Sequence, residues 1–142
     1  MKAMYTAHAT ATGGRAGHVE TSDGIVSFNL AMPPEMGGPG GGANPEQLFA
    51  AGYSACFHSA LQFVAGQAKQ DVSGSFVSAH VSIGENDAGP GFKLGVVLDI
   101  ELPKLSQEEA EALAEKTHQV CPYSNATRGN IDVELNVKGA KA

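Results

Sequence analysis

Apolar and polar positions along the chain change their period several times, and each change marks an element. Residues 4–12 place Tyr5, Ala7, Ala9 and Ala11 at alternate positions, the period of a strand. Thr12-Gly13-Gly14-Arg15-Ala16-Gly17 then breaks the pattern as a loop. Residues 18–22 and 25–31 read as a hairpin about Asp23-Gly24, a dipeptide that suits a tight turn. Residues 32–43 keep no period, with Pro33, Pro34 and Pro39 among five Gly between 37 and 42. So open a segment is expected to form a lid or rim, not a packed element.

The next stretch changes to helical character. Asn44 suits an N-cap, Pro45 the first helical position, and Gln47 completes a capping box. From Leu48 to Ala65 apolar residues cover nearly every face, so this helix is expected to be wrapped on all sides. About 20 residues at ~1.5 Å each make a rod of ~30 Å, the width of a small domain. One short chain would struggle to cover it, which points to a second subunit.

Two long alternating strands follow. Val77, Ala79, Val81 and Ile83 share one face of the first, and Phe92, Leu94, Val96, Leu98 and Ile100 one face of the second. Asn86-Asp87-Ala88-Gly89-Pro90-Gly91 joins them as a hairpin loop, and Pro103 ends the pair. Ser106-Gln107-Glu108-Glu109 is a capping box opening a second helix. Its buried stripe is expected at Ala110, Leu113, Ala114, Thr117 and Val120/Cys121, and Pro122 is expected to stop it. Val133, Leu135 and Val137 form a last strand. The order βββ-α-ββ-α-β lacks the strict alternation of a parallel sheet and predicts an α+β fold, with antiparallel sheets packed around central helices.

Composition narrows the function classes. The chain has 142 residues, the size of one domain, 1–142. Hydrophobic residues at 42% against 17% charged exclude a disordered chain. A net charge of −6 with no basic run argues against nucleic acid as a partner. Gln47 to Ala68 carries no Asp, Glu, Lys or Arg and is long enough to cross a bilayer. Ser54, His58, Ser59, Gln62 and Gln67 interrupt it, so a buried helix is the better reading and no membrane contact is expected. The N-terminus has no apolar run after Lys2, hence no secretory signal, and a cytoplasmic location is expected. In that compartment two Cys are thiols rather than a permanent staple.

The residues that can carry chemistry are few. Cys56 lies mid-way along the apolar helix, and Cys121 at the end of the second helix. Both could be inert core thiols, since buried Cys is common. Against that, Pro122-Tyr123-Ser124-Asn125 makes a stop and turn that can lift Cys121 out of the core. A free thiol with pKa about 8.5 is under a tenth ionised at neutral pH, so a reactive Cys needs a cation and hydrogen-bond donors. Arg15, flanked by glycines, can be aimed inward. Cys56, His58, His118 and Cys121 would make a metal-binding set, but positions 56 and 58 lie about 200° apart around a helix. No metal is therefore expected. His58 reads as a satisfied interior or interface group, and His118 as a surface residue suiting the helix C-terminus.

Two long segments resemble a known family. Asn44-Pro45-Glu46-Gln47-Leu48-Phe49-Ala50-Ala51-Gly52-Tyr53-Ser54-Ala55-Cys56-Phe57 and Val120-Cys121-Pro122-Tyr123-Ser124-Asn125-Ala126-Thr127-Arg128-Gly129-Asn130 are similar to the signature segments of the Ohr/OsmC family, on its organic hydroperoxide resistance branch. The opening Tyr5-Thr6-Ala7 and Ala11-Thr12-Gly13-Gly14-Arg15 fit too. The resemblance implies an OsmC-like fold and an intertwined homodimer with its sites at the subunit interface. It implies a cofactor-free thiol peroxidase acting on organic hydroperoxides. Cys56 would be the peroxidatic thiolate, Cys121 the resolving thiol, and Arg15 with Glu46 the polar pair steadying the thiolate. The reductant implied is a dithiol on a lipoylated protein. Two positions depart from the pattern: Ala16, where an acidic residue is expected, and His58, where an apolar one is. The competing classes are a non-catalytic dimer binding fatty-acid-like ligands and a two-Cys redox switch without turnover.

Helical spacing adds one expectation. Glu46 and Cys56 are ten residues apart, ~15 Å along one helix. An Arg paired with Glu46 then reaches Cys56 only if two such helices pack antiparallel about a two-fold axis, or if the helix breaks near Gly52.

Overall fold

The computed structural model describes Met1–Lys141. Contacts divide it into two compact units, one up to Leu48 and one from Phe49 onward.

In the first unit, β1 (Ala9–Thr12), β2 (His18–Thr21) and β3 (Ser27–Asn29) form an antiparallel sheet in the order β1-β2-β3. The hairpin at Asp23-Gly24 is there as expected. Asp23 accepts from the Thr21 hydroxyl at 2.6 Å and the Ile25 N–H at 3.0 Å. β1 is shorter than its alternating pattern. It pairs from Ala9 opposite Thr21, where β2 ends at the turn, so Tyr5 and Ala7 have no strand opposite them. The Gly- and Pro-rich stretch carries a short 3-10 turn at Pro34–Met36 and a bridge from Leu30 to Ala43.

Helix α1 (Pro45–Gln67) begins where the cap predicts. Asn44 Oδ1 accepts from the Gln47 N–H at 2.8 Å, and Gln47 Oε1 accepts from the Asn44 N–H at 3.2 Å. α1 runs through Gly52 without interruption, so a break there is not what the chain adopts.

In the second unit, β4 (Phe76–Glu85) pairs antiparallel with β5 (Phe92–Glu101) over its whole length. β6 (Val133–Lys138) pairs with β5 in parallel, from Val96↔Val133 to Glu101↔Lys138. The sheet is therefore mixed, not wholly antiparallel. A parallel neighbour needs a crossover, and α2 (Gln107–Val120) with α3 (Pro122–Thr127) provides it. α3 is the second departure from expectation. Pro122 ends α2 but also occupies the first turn of a new helix, where its missing N–H costs nothing. The observed order is βββ-α-ββ-αα-β. The α+β class stands.

One core holds the second unit together. Tyr53, Phe57, Leu61, Val64 and Ala65 line one face of α1 at helical spacing, against Val96, Leu98 and Ile100 of β5 and Ala110, Leu113 and Ala114 of α2. Each full burial of a Val, Leu, Ile or Phe side chain among them contributes about 1.5–3 kcal/mol. On α2 the expected stripe is buried, except that Val120 points outward. The capping box is present, with Ser106 accepting from the Glu109 N–H and Glu109 from the Ser106 N–H, both at 3.1 Å. α1 is not wrapped on every side within this chain: Ala51, Ala55, Ser59 and Phe63 form an exposed stripe.

Candidate functional site

The four site residues expected from the sequence come together as two pairs. The first is Arg15 with Glu46. Arg15 stands in a 3-10 turn, Gly14–Ala16, entered through Gly13 and Gly14 at φ 75° and 58°, where glycine is at ease. Its guanidinium donates from both terminal nitrogens to both Glu46 carboxylate oxygens, at 2.8 and 2.7 Å. This fork fixes the direction of the guanidinium plane. The Arg15 hydrogen bonds hold Glu46 below the ordinary carboxylate range, with partial burial opposing, and Glu46 holds Arg15 firmly charged. Ala16 needs no partner to form the turn: its N–H donates to the Gly13 carbonyl at 3.3 Å.

The second pair is Cys56 with Cys121. Cys56 lies on α1, half-buried; Cys121 sits at the joint of α2 and α3, fully buried. Their sulfurs are 3.8 Å apart, both as thiols. Cys121 is held by its backbone: its N–H donates to the Thr117 carbonyl at 2.9 Å and its carbonyl accepts from the Asn125 N–H at 2.9 Å. Burial pushes the Cys56 thiol above its ordinary pKa, and the neighbouring Cys121 pushes the same way. The opposing influence is the Tyr123 backbone N–H, which donates to the Cys56 sulfur. Ionising Cys56 therefore calls for a cation beside it.

Sequence reasoning missed the support beneath this pair. Tyr53 is fully buried, and its hydroxyl contacts Ser124 Oγ at 2.8 Å and Thr127 Oγ1 at 3.1 Å. Ser124 Oγ also meets His118 Nδ1 at 2.8 Å. His118 is thus not a surface residue: it is half-buried, and burial drives it toward the neutral form. The available signal was Pro122, which starts a helix as readily as it stops one. Tyr123 lies across Gly52, and its ring packs edge-on or tilted against Phe49 at 5.9 Å and Tyr53 at 5.6 Å. His58 is satisfied by Ser75 Oγ at 3.0 Å, as an interior polar group should be.

The comparisons with known proteins agree on one family. Residues 38–136 match the family model described as OsmC-like protein. The organic hydroperoxide resistance protein of Xanthomonas axonopodis pv. citri is 53% identical over 137 residues, covering 96% of each chain. Among solved structures, an organic hydroperoxide resistance protein from Legionella pneumophila superposes with a TM-score of 0.91 at 53% identity, over 99% of this chain and 100% of that one. A chain from Vibrio cholerae, crystallised with captopril bound in one of the active sites, gives 0.89 at 48% identity, over 96% and 93%.

Proposed function

Because the chain belongs to the OsmC-like protein family, on its organic hydroperoxide resistance branch, we propose that it is a cysteine-based peroxidase reducing organic hydroperoxides to alcohols. The observation that carries the proposal is the pair of thiols 3.8 Å apart, one half-exposed and one buried. Cys56 is the nucleophile because substrate can reach it; Cys121, sealed behind it, resolves.

The Cys56 thiolate attacks the distal oxygen of ROOH. The O–O bond breaks, Cys56 becomes sulfenic acid, and the alkoxide takes a proton to leave as ROH. The Cys121 sulfur then attacks the sulfenic sulfur, forming the disulfide and releasing water. A disulfide has its sulfurs about 2.05 Å apart, so closure from 3.8 Å is a short movement. An external dithiol returns two electrons and two protons by thiol–disulfide exchange. A dithiol carried on a lipoylated protein fits that step.

Arg15 supplies the cation that Cys56 lacks, with Glu46 aiming it. The unbroken α1, which carries Glu46 and Cys56 ten residues apart, supports delivery of this pair from the partner of a homodimer. The exposed stripe Ala51, Ala55, Ser59 and Phe63 supports helix-to-helix contact between two copies. A cytoplasmic location is part of this proposal, since a reducing compartment keeps two cysteines available as thiols.

Turnover assays test the proposal. Wild-type protein with a dithiol should consume many equivalents of a long-chain alkyl hydroperoxide, and prefer it to hydrogen peroxide, since each buried CH2 contributes about 0.8 kcal/mol. Cys56→Ser should consume none. Cys121→Ser should be oxidised at Cys56 without turning over: one equivalent gives the sulfenic acid, and at most a second carries it, unresolved, to sulfinic acid. Equal loss of the first oxidation in both variants would overturn the assigned roles. Absence of turnover in the wild type would leave a binding protein or a redox switch.

A further inference from the structure

The thiol pair stands on a buried chain of hydroxyls and one imidazole that joins three helices. Tyr53 comes from α1, His118 from α2, and Ser124 and Thr127 from α3. The links are Thr127 Oγ1 to the Ser124 carbonyl at 3.3 Å, Tyr53 Oη to Thr127 Oγ1 at 3.1 Å, Ser124 Oγ to Tyr53 Oη at 2.8 Å, and His118 Nδ1 to Ser124 Oγ at 2.8 Å.

Each hydroxyl has one proton to donate. The Ser124 carbonyl only accepts, so Thr127 donates to it. Tyr53 must then donate to Thr127, Ser124 to Tyr53, and His118 Nδ1 to Ser124. All four contacts are satisfied together in this one direction. His118 is thus held with its proton on Nδ1.

The chain brackets Cys121. His118 lies three residues before it and Ser124 three after, and Tyr53 lies three residues before Cys56 on α1. The Arg128 guanidinium closes the same corner, donating to the His118 carbonyl at 2.9 Å. The corner that carries the buried thiol is therefore fastened to the helix that carries the accessible one by this polar chain.

We propose that His118 and Tyr53 are positioning residues for disulfide formation: the chain they anchor keeps the Cys121 corner seated on α1, so that Cys121 captures the Cys56 sulfenic acid before a second hydroperoxide does. This rests on the resolving role proposed for Cys121. The competing event is attack by the sulfenic acid on a second ROOH, which breaks its O–O bond, releases another ROH and leaves sulfinic acid, a dead end. A corner that swings slows capture without touching the first step.

Single-turnover kinetics with a long-chain hydroperoxide, read by rapid quench and mass spectrometry, separates the steps. His118→Ala and Tyr53→Phe should leave Cys56 oxidation within about twofold of wild type, slow disulfide formation about tenfold, and raise the sulfinic fraction accordingly. His118→Asn restores a side-chain N–H near the place of Nδ1 and should bring disulfide formation back to within about threefold. His118 is only half-buried, so its variants keep the test alive if Tyr53→Phe does not fold. Disulfide formation at the wild-type rate in folded His118→Ala, equal slowing of both steps, or failure of His118→Asn to rescue would each overturn the proposal. Cys121→Ser is the control for the underlying reading: if wild-type protein forms no disulfide and accumulates sulfinic acid as that variant does, it is the resolving role of Cys121 that fails.

Discussion

Gly52→Ala should destabilise this protein, although a helix interior favours the change. Gly52 lies well inside α1, where Ala is preferred to Gly by about 1 kcal/mol. An added Cβ would stand 2.5 Å from Tyr123 Oη, 3.0 Å from Cζ and 3.2 Å from Cε2. Carbon contacts are comfortable from about 3.5 Å. Two of the three atoms belong to the ring, so the ring must move bodily, not only its hydroxyl. Movement gives up the contacts with Phe49 and Tyr53. At about 0.5–1.5 kcal/mol per aromatic pair, the loss is about 1–3 kcal/mol. Set against the propensity gain, the net is a loss of about 1 kcal/mol. In a Tyr123→Ala background the three atoms nearest the new Cβ are gone, and the same substitution should stabilise by up to about 1 kcal/mol. Urea unfolding of the four proteins, at one fixed concentration, measures the coupling. A stabilisation of equal size in both backgrounds would refute the reasoning.

The Arg15–Glu46 fork makes stability depend on acid pH. Because Glu46 is held below its ordinary range in the folded chain, its contribution is present above the unfolded carboxylate pKa and is lost as pH falls through the folded one. Glu46→Gln should cost about 1 kcal/mol at neutral pH, solvent access to Arg15 limiting the value, and the gap to wild type should close as pH falls below the ordinary carboxylate range; a gap constant with pH would count against the ion pair. A mixed dimer with Cys56→Ser on one chain and Arg15→Ala on the other should retain about half of the wild-type activity if sites are shared between chains, and almost none if each chain completes its own. Ser106→Ala removes the cap of α2 and should lower stability by about 1 kcal/mol, a shift of about 3 °C in thermal unfolding; an unchanged Tm would show that the box contributes nothing.

What the sequence determined by itself is mostly local. Capping boxes at Asn44 and Ser106, the Asp23-Gly24 turn and the alternation through 77–83 and 92–100 are decided within a few residues, by hydrogen bonds and steric preferences that act before any tertiary contact. The two signature segments made the family readable, and together with the run Ala11–Arg15 they singled out Arg15, Glu46, Cys56 and Cys121 as candidate site residues, because each lies within a short run. Tertiary structure decided what depends on pairing across the chain. Tyr5 and Ala7 alternate like a strand but face no partner, because β2 turns away at Thr21. The parallel register of β6 on β5 follows from the crossover through α2 and α3, and no period within β6 records it. His118, at the end of a helix, reads as exposed until α3 folds back and buries it against Ser124. Tyr53, read in one dimension, is one apolar residue among many. Only the meeting of three helices gives its hydroxyl two partners and places the two thiols face to face, because burial and hydrogen-bond satisfaction are properties of the packed assembly of helices rather than of any single one.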